Sequence, residues 1–377
     1  MEEHLIIRDF GPIREARIAL RDLTILVGPQ ATGKSLAAQA LYFLREVDAL
    51  SSSPLDEPCE AVLSALESWF GNRAAVYVKP GTRLAWTPAG APPEATQEIV
   101  WDESGAQLGH ALLKRVQAIQ AGQALDQSAK VYIPAGRALY SFLPPYSLAS
   151  RVVASEEWPG YILKFYETLG RSIRWLWQAE DAPEDTPGVA FLRSRIDSII
   201  KGRIQYGPDA VMLETAKKRL RSTTIAAGQM EIWPFWAIVE TGIRTQRLAV
   251  AQIYFEEPEA HLHPRAQRDV MEMVAYLVRQ GTRFLLTTHS PYILYAVNNF
   301  LMAQKVLAHG QSLPPDVPSE IALSAKRVAA YRFSADGTVH DIMDQDVGLI
   351  DEDELDDVAD ALGTTFTRLQ ERLGGAE

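Results

Sequence analysis

The sequence predicts an α/β fold, and three patterns in its 377 residues indicate it. A glycine-rich loop at 28–35 lies between an apolar strand and a run with helical spacing. A second apolar strand ends in Glu256 and Glu257, and a third ends in Thr-Thr-His-Ser at 287–290. Apolar strands that alternate with helical runs are typical of α/β proteins.

The first part of the chain predicts strands at 4–8 and 17–27, on either side of a turn at Gly11-Pro12. The run SLAAQALYFLREVDAL, which follows the glycine-rich loop, predicts a helix. Residues 74–103 contain three strand-like pieces, AAVYV, RLAW and EIVW, separated by proline and glycine turns. They predict a small antiparallel β layer. The run KVYIPAGR at 130–137 predicts a strand that leads into a turn.

The middle of the chain, from about 140 to 200, is mostly helical in its spacing. The runs GRIQY and AVMLE then predict short strands, MEIWPFWAIVETGIRTQ predicts a helix, and RLAVAQIYFEE and TRFLLTTHS predict two buried strands. We expect one lobe assembled from both ends of the chain, with a mostly helical lobe inserted between them. The expected boundaries are 1–139 and 225–335 for the two parts of the first lobe, 140–224 for the inserted lobe, and 336–377 for an acidic helical segment.

Composition narrows the class of protein. The formal net charge is −11, which disfavours wholesale coating of nucleic acid but leaves room for a local basic face. The single cysteine, Cys59, excludes an intrachain disulfide and a cysteine-rich metal site. The N-terminus MEEHLIIRDF has no secretory signal pattern, and no run approaches the roughly 18 apolar residues of a membrane helix. We therefore expect a cytoplasmic protein without a membrane span.

The glycine-rich loop matches the phosphate-binding pattern GxxxxGK[ST]. Its glycines let backbone amides curl around phosphates, and the helix that follows adds its positive end. Lys34 is expected to reach the β- and γ-phosphates, and the Ser35 hydroxyl to bind Mg²⁺. The predicted nucleotide-binding residues of the loop are Gly28, Pro29, Gln30, Ala31, Thr32, Gly33, Lys34 and Ser35.

The phosphate-binding loop upstream indicates a function for the two carboxylates at the strand end. In a P-loop protein this is the Walker B position, where Glu256 would hold Mg²⁺ and Glu257 would orient the attacking water. The next apolar strand ends at His289, which can donate a hydrogen bond to the γ-phosphate. The sequence therefore predicts metal ligands at Ser35 and Glu256 and catalytic residues at Glu257 and His289.

The loop, EEPEAHLHP and LLTTHSPYIL together resemble the ABC-type ATPases of the SMC, RecF and OLD groups. The opening LIIRDFGPIREARIALRDLTILVGP also resembles their N-terminal strands. The match is closest to stand-alone AAA-type ATPases that are often encoded beside an effector in bacterial defence modules. The resemblance covers the two ends of the chain well and the middle poorly. It implies a P-loop NTPase with an ABC-type nucleotide-binding core and an inserted helical lobe, using ATP and Mg²⁺.

The same resemblance implies a signature motif that contacts the ATP of a second subunit, and hence a homodimer or higher oligomer closed head to tail. The segment at 225–231, IAAGQME, lies in the corresponding place. Ala226 stands where the family has a serine, so backbone amides at a helix start would carry the contact. The residues expected to face the partner's nucleotide are Ala227, Gly228 and Gln229. Further departures are Gln30-Ala31 for the usual Asn-Gly and Glu256 for the usual Asp.

Other segments leave alternatives open. No glutamine of a lobe-linking Q-loop is identified near 133–137. His261 and His263 have a metal-site spacing without a third ligand nearby, which favours packing at an interface. Segment 193–221 has eight basic and three acidic residues, and is either a DNA- or RNA-binding face or a solvated surface. An apolar stripe follows the acids of the tail and would dock on the domain itself or on a partner; its members are Leu355, Val358, Leu362, Phe366, Leu369 and Leu373.

Three uses of an ATP cycle fit these features. The first is the ATPase subunit of a bacterial antiphage module that controls a separately encoded effector, since the chain ends too soon after His289 for the C-terminal nuclease domain of OLD proteins. The second is a RecF- or SMC-like factor for DNA repair or chromosome maintenance. The third, a transporter ATPase, is the weakest, because the motifs are spelled as in the SMC-like group.

Overall fold

The computed structural model describes residues 2–46, 58–70, 74–120, 129–138, 158–179, 187–207, 210–247, 251–351 and 368. Nine helices are placed in these ranges: α1 Lys34–Arg45, α2 Pro58–Phe70, α3 Ala74–Tyr77, α4 His110–Gln120, α5 Gly160–Gln178, α6 Pro187–Ile200, α7 Ala227–Arg244, α8 Pro264–Arg279 and α9 Pro291–Ala308.

The strands of the same ranges form four sheets. Their bounds are β1 His4–Phe10, β2 Ile13–Ala19, β3 Leu23–Val27, β4 Arg83–Thr87, β5 Gln97–Asp102, β6 Gly105–Leu108, β7 Lys130–Ile133, β8 Arg203–Tyr206, β9 Val211–Glu214, β10 Arg219–Arg221, β11 Gln252–Glu256, β12 Arg283–Thr288, β13 Val328–Phe333, β14 Val339–Asp341, β15 Met343–Asp344 and β16 Leu349–Ile350.

The central sheet has six strands in the order β14-β13-β3-β12-β11-β7. All are parallel except β14, which pairs antiparallel with β13. Strands β3, β11 and β12 are buried along almost their whole length, as expected for a parallel sheet covered on both faces. Because these strands run in one direction, the loops after Val27, Ile133, Glu256 and Thr288 meet at one edge of the sheet.

A second sheet, antiparallel and in the order β2-β1-β4-β5-β6, confirms the predicted β layer. The turn at Gly11-Pro12 joins β1 to β2, also as predicted. The prediction of a strand at AAVYV was wrong, because residues 74–77 form the short helix α3. Both edges of β1 are already paired, with β2 and β4, so this segment meets β1 through its end, where the Gly11 amide donates to the Tyr77 carbonyl at 2.8 Å.

The middle of the described chain is mostly helical, as predicted. Helix α5 packs on α7, and α6 packs on both α7 and α8. The predicted strands GRIQY and AVMLE are β8 and β9, and a third strand, β10, completes a small antiparallel sheet in the order β10-β9-β8. The domain boundaries remain predictions. The apolar stripe of the tail lies outside the described residues. Within the described ranges, no helix is both long and apolar enough to cross a bilayer.

Candidate functional site

The glycine-rich loop has the backbone geometry that phosphate binding needs. Gly28 has a φ of 141°, and a Cβ there would lie 2.3 Å from the Phe333 carbonyl oxygen, so only glycine fits. Gly33, with a φ of 99°, is the N-cap of α1. Ala31 has a φ of 61°, in the left-handed region that disfavours residues with a Cβ. The loop is therefore held in a strained turn whose helix begins at Lys34.

Lys34 is anchored within the loop and faces the polar end of the sheet. Its Nζ donates to the carbonyls of Gly28 at 2.8 Å and Pro29 at 2.6 Å, and lies 3.4 Å from His289 Nδ1. Burial lowers the pKa of Lys34 to about 8, although the negative charges of Glu257 and Glu259 oppose that shift. The ammonium is therefore less strongly protonated than that of an exposed lysine, at the point where phosphate would arrive.

Glu256 is buried at the end of β11 and held from three sides. Its Oε1 accepts from the Tyr132 hydroxyl at 2.6 Å and from Gln39 Nε2 at 3.3 Å, and its Oε2 accepts from the Ala135 amide at 2.9 Å. Sequence reasoning did not find Tyr132 or Gln39. Tyr132 lies within the KVYI strand, whose place beside β11 the sequence does not specify, and Gln39 carries no motif of its own.

Glu257 points into the site, unlike its neighbour Glu256. Its carboxylate Oε1 lies 3.3 Å from His289 Nε2. The Glu257 backbone has a φ of 42°, a strained conformation for a residue with a Cβ. Its amide donates to the Thr287 carbonyl at 2.8 Å, which ties the loop after β11 to the end of β12. The predicted catalytic pair is therefore brought together by adjacent parallel strands.

A third acid, Glu259, fixes the loop that carries His289. Its Oε1 accepts from the Thr288 hydroxyl and from the His289 amide, each at 2.7 Å. Sequence reasoning passed over this residue, although it is the third acid of EEPE. The contact positions the histidine beside Lys34 and Glu257.

Lys34, Glu257 and His289 line one cavity of about 830 Å³, a size typical of ligand pockets. The cavity joins most of the predicted P-loop residues to the catalytic pair, and it also has aromatic walls from α2, α3 and α5. Tyr161, on the first helix of the inserted lobe, packs on Tyr132 with ring centroids 5.1 Å apart. The polar and aromatic lining comprises Gln30, Ala31, Gly33, Lys34, Ser35, Gln39, Phe70, Tyr77, Tyr161, Glu257 and His289.

The donor set at this cavity fits magnesium. Ser35 and Glu256 offer oxygen ligands, and Mg²⁺ is usually held by one or two protein oxygens together with substrate phosphates and water. Glu256 Oε2 accepts a single hydrogen bond and keeps a free lone pair. Among the described residues, no group of three His, Cys, Asp or Glu side chains could form an all-protein metal cage. His263 instead caps α8, where its Nδ1 accepts from the Arg265 amide.

Comparisons with known proteins agree with this geometry. Residues 241–294, which include both carboxylates and His289, match the AAA ATPase domain family. An Smc head bound to the C-winged helix domain of ScpA is 10% identical, with a TM-score of 0.51, covering 91% of this chain and 98% of that chain. This likeness supports the fold. The resemblance to ABC/SMC-like P-loop ATPases is confirmed.

Two further solved structures are similar at lower TM-scores. One is an Smc head with an extended coiled coil, bound to the C-terminal domain of ScpA and derived from Pyrococcus furiosus. It is 11% identical, with a TM-score of 0.47, and the match covers 90% of this chain and 95% of that chain. The other is the ADP conformation of an ATP-binding cassette of an ABC transporter. It is 12% identical, with a TM-score of 0.35, and the match covers 90% of this chain and 89% of that chain. No curated protein matches the sequence.

The predicted signature segment lies outside the cavity that the P-loop of the same chain lines. Helix α7 begins at Ala227, as predicted, and Ala226 and Ala227 are exposed. A Cβ on Gly228 would lie 2.7 Å from the His261 carbonyl oxygen of the same chain. The Gln229 side chain is occupied within its chain, since it accepts from the Ala226 amide at 3.0 Å and donates to the Ile200 carbonyl at 2.5 Å. A partner's nucleotide would therefore meet backbone amides here.

The lowered pKa of Lys34 predicts that nucleotide affinity falls with rising pH. At pH 7 Lys34 is mostly protonated in the free protein, whereas at pH 9 it is mostly neutral and must take up a proton to pair with phosphate. Between these pH values we expect a loss of about tenfold in affinity for a non-hydrolysable ATP analogue. Calorimetry in two buffers of different ionisation enthalpy measures both the affinity and the proton uptake. Constant affinity with no proton uptake would contradict the role given to Lys34, and Lys34→Arg, whose charge is permanent, is the control.

Proposed function

We propose that this protein binds and hydrolyses ATP with Mg²⁺, closes head to tail as a dimer around two nucleotides, and passes its nucleotide state to a partner. One observation carries the proposal. A single cavity is lined by the P-loop lysine, a strand-end carboxylate and a histidine whose ring lies 3.4 Å from the lysine and 3.3 Å from the carboxylate. The three groups come from separate parts of the chain, and phosphoryl transfer needs stabilised phosphate charge and a positioned water, which groups of these kinds can supply.

The proposed chemistry is attack of water on the γ-phosphate. Lys34 and the amides of the loop hold the phosphates, with the positive end of α1 behind them. Glu257 orients the water and accepts its proton, and His289 donates a hydrogen bond to the γ-phosphate. Ser35 and Glu256 would hold Mg²⁺, which neutralises charge on the phosphates when bound.

The proposed dimer rests on the position of the signature segment. Ala226 and Ala227 are exposed at the N-terminus of an 18-residue helix, whose dipole favours an anion, although the Ala226 amide is paired with the Gln229 side chain. The cavity of the same chain does not use them. A second copy, turned head to tail, would supply the phosphate that this helix start lacks.

For the partner we favour a separately encoded effector of a bacterial antiphage module, in the cytoplasm. The support is the family resemblance together with the Smc head of the same fold, which is bound to a domain of another protein, ScpA. Such a protein would hold its effector in the ATP-bound state and release it when a trigger changes that state.

Glu257→Gln should keep ATP bound but slow its hydrolysis by roughly 10²-fold or more, because the base that positions water is lost while phosphate contacts remain. Steady-state ATPase assays and analogue binding separate the two effects. The slow variant should also accumulate any ATP-closed dimer, which light scattering detects.

Lys34→Ala and Glu256→Gln serve as comparisons for Glu257→Gln. Lys34→Ala should lose nucleotide binding itself, so it differs from Glu257→Gln in the binding assay. If Glu256→Gln abolished turnover while Glu257→Gln turned over like the wild type, the roles of the two carboxylates would be reversed.

Ala226→Asp should block ATP-dependent dimerisation, because a carboxylate would face the partner's γ-phosphate. Gly228→Asp is a poorer test, since its Cβ would also push on His261 in the same chain. Ala226→Asn is the matched control: Asn and Asp cap helices about equally well, so only the charge differs. Ala226→Ser should strengthen closure about fivefold through one added hydrogen bond. Dimerisation of Ala226→Asp at wild-type level would remove the signature segment from the interface.

A second function, DNA binding in a repair or chromosome-maintenance factor, has its own support. The basic segment divides into two groups in the structure. Arg195 is paired with Glu272 and lies partly buried between helices. Lys217 and Lys218 instead lie at the exposed tip of the β9–β10 hairpin, next to exposed Arg219 and Arg221. The hairpin therefore presents a compact basic patch, which an RNA backbone could also contact.

If this hairpin contacts nucleic acid, replacing Lys217, Lys218 and Arg219 together by glutamine should weaken binding and flatten its salt dependence by up to about three units of log–log slope. A fluorescently labelled DNA duplex and an RNA of equal length, titrated with ATP and Mg²⁺ at several salt concentrations, measure this. Replacing exposed Arg17, Lys114 and Lys326 changes the net charge equally and should leave the slope unchanged. Absence of binding by the wild type at low salt would eliminate this second function.

A further inference from the structure

Arg137 is, among the described residues, the largest side chain that is fully buried, with 0% exposure. Removing a guanidinium from water costs several kcal/mol unless its donors are all met by well-placed acceptors. Neither the family motifs nor the proposed ATP chemistry gives this arginine a role. Its contacts in the structure show what it joins.

The donors of Arg137 are distributed over three segments. Nε donates to the Glu231 carbonyl at 2.8 Å, on the second turn of α7. Nη1 donates to the carbonyls of Pro134 at 3.3 Å and Glu256 at 2.9 Å, and Nη2 donates to the Glu257 carbonyl at 3.1 Å. One planar group therefore connects the loop after β7, the signature helix and the two strand-end carboxylate residues.

The charge of Arg137 is compensated locally. A carboxylate oxygen of buried Glu231 lies 3.5 Å from Nε, and the guanidinium carbon lies 4.8 Å from the centre of the Phe255 ring. Burial lowers the pKa of Arg137, while the charges of Glu231, Glu259 and Glu256 oppose that shift. The guanidinium of Arg137 is therefore surrounded by backbone carbonyls, a carboxylate and an aromatic ring.

The bond to Glu257 explains how a strained residue keeps its place. A φ of 42° costs on the order of 1–3 kcal/mol for a residue with a Cβ and persists only where neighbours over-determine it. The Glu257 amide is held by Thr287, and its carbonyl accepts from both Arg137 and the Ala260 amide at 3.0 Å. Without Arg137 the Glu257 carbonyl would lose the hydrogen bond that connects it, through the guanidinium, to α7.

We propose that Arg137 is a positioning residue: it holds the Glu257 backbone so that the carboxylate meets the attacking water, and it transmits movement of the signature helix to that carboxylate. This inference rests on the proposed function. When the start of α7 meets the partner's phosphate, the rigid path through Glu231 and Arg137 reaches the Glu257 of the same chain. Closure on one nucleotide therefore prepares hydrolysis of the other.

Arg137→Lys tests the positioning role, because an ammonium keeps the charge but cannot reach carbonyls on opposite sides as the planar fork does. We expect kcat to fall by roughly 10²-fold, as for a catalytic group misplaced by about 1 Å, with KM and analogue affinity changed less than about threefold. The Hill coefficient for ATP should be above 1 in the wild type and fall to 1 in the variant. A merely structural arginine would lower Tm and leave kcat per folded molecule unchanged.

The matched control is Arg45→Lys. Arg45 is also buried, and it is paired with Glu3 and the Tyr254 hydroxyl, but it makes no bond to the loop after β11. We expect this variant to lower Tm and keep the wild-type kcat and Hill coefficient. If Arg137→Lys and Arg45→Lys behaved alike, Arg137 would be a stabilising residue only.

A second variant tests the transmission path and serves if Arg137→Lys does not fold. Glu231→Gln removes the negative charge near Nε, which weakens the attachment of α7 to Arg137, and leaves the bonds to the Glu231, Glu256 and Glu257 carbonyls. It should therefore lower the Hill coefficient more than kcat. An unchanged Hill coefficient would overturn the transmission role. A wild-type protein without any ATPase activity would defeat the proposed function itself, whereas normal turnover of a folded Arg137→Lys protein would defeat only this inference.

Discussion

The site depends on the register of three parallel strands. Thr288 on β12 lies beside Val27 on β3, and Glu256 on β11 lies beside Thr287 on β12. These pairings place the P-loop, the two carboxylates and His289 at one edge of the sheet, in neighbouring loops. A slip of one residue would turn alternate side chains to the other face, so that Glu256 would leave its contact with Tyr132.

Much of this arrangement could be predicted from the sequence, because it is recorded in local patterns. The P-loop, both carboxylates and His289 follow apolar strands, and parallel strands bring such ends together. The partners of Glu256 could not be found in this way. Gln39 lies 217 positions away in the sequence. Tyr132 lies on a short strand whose place beside β11 no local pattern specifies, and Arg137 lies in the loop after that strand.

Buried charge distinguishes this protein from an ordinary α/β domain. Glu3, Arg45 and Arg137 all lie in the interior, where a charge is tolerated only with partners. Burial raises the pKa of Glu3, but Arg45 and Arg283 outweigh that effect, so its pKa is lowered. This first group ties the N-terminal strand to the core, because Arg45 also bonds to Tyr254 on β11. Buried pairs are weak evidence of stability, and of these charged groups only Arg137 contacts the backbone of the two carboxylate residues.

The signature helix is joined to the Walker B loop by two independent contacts, and this limits how the site can move. Gly228 packs on the carbonyl of His261, which itself has a left-handed φ of 56°, and Glu231 binds Arg137 one turn further along. Any shift of the helix start must therefore displace the loop that carries Glu257 or break a buried bond. Interiors packed in this way respond by switching between discrete arrangements rather than by gradual deformation. In the proposed dimer this rigid connection would link closure to hydrolysis, although Ala226 has no hydroxyl to offer the partner's phosphate.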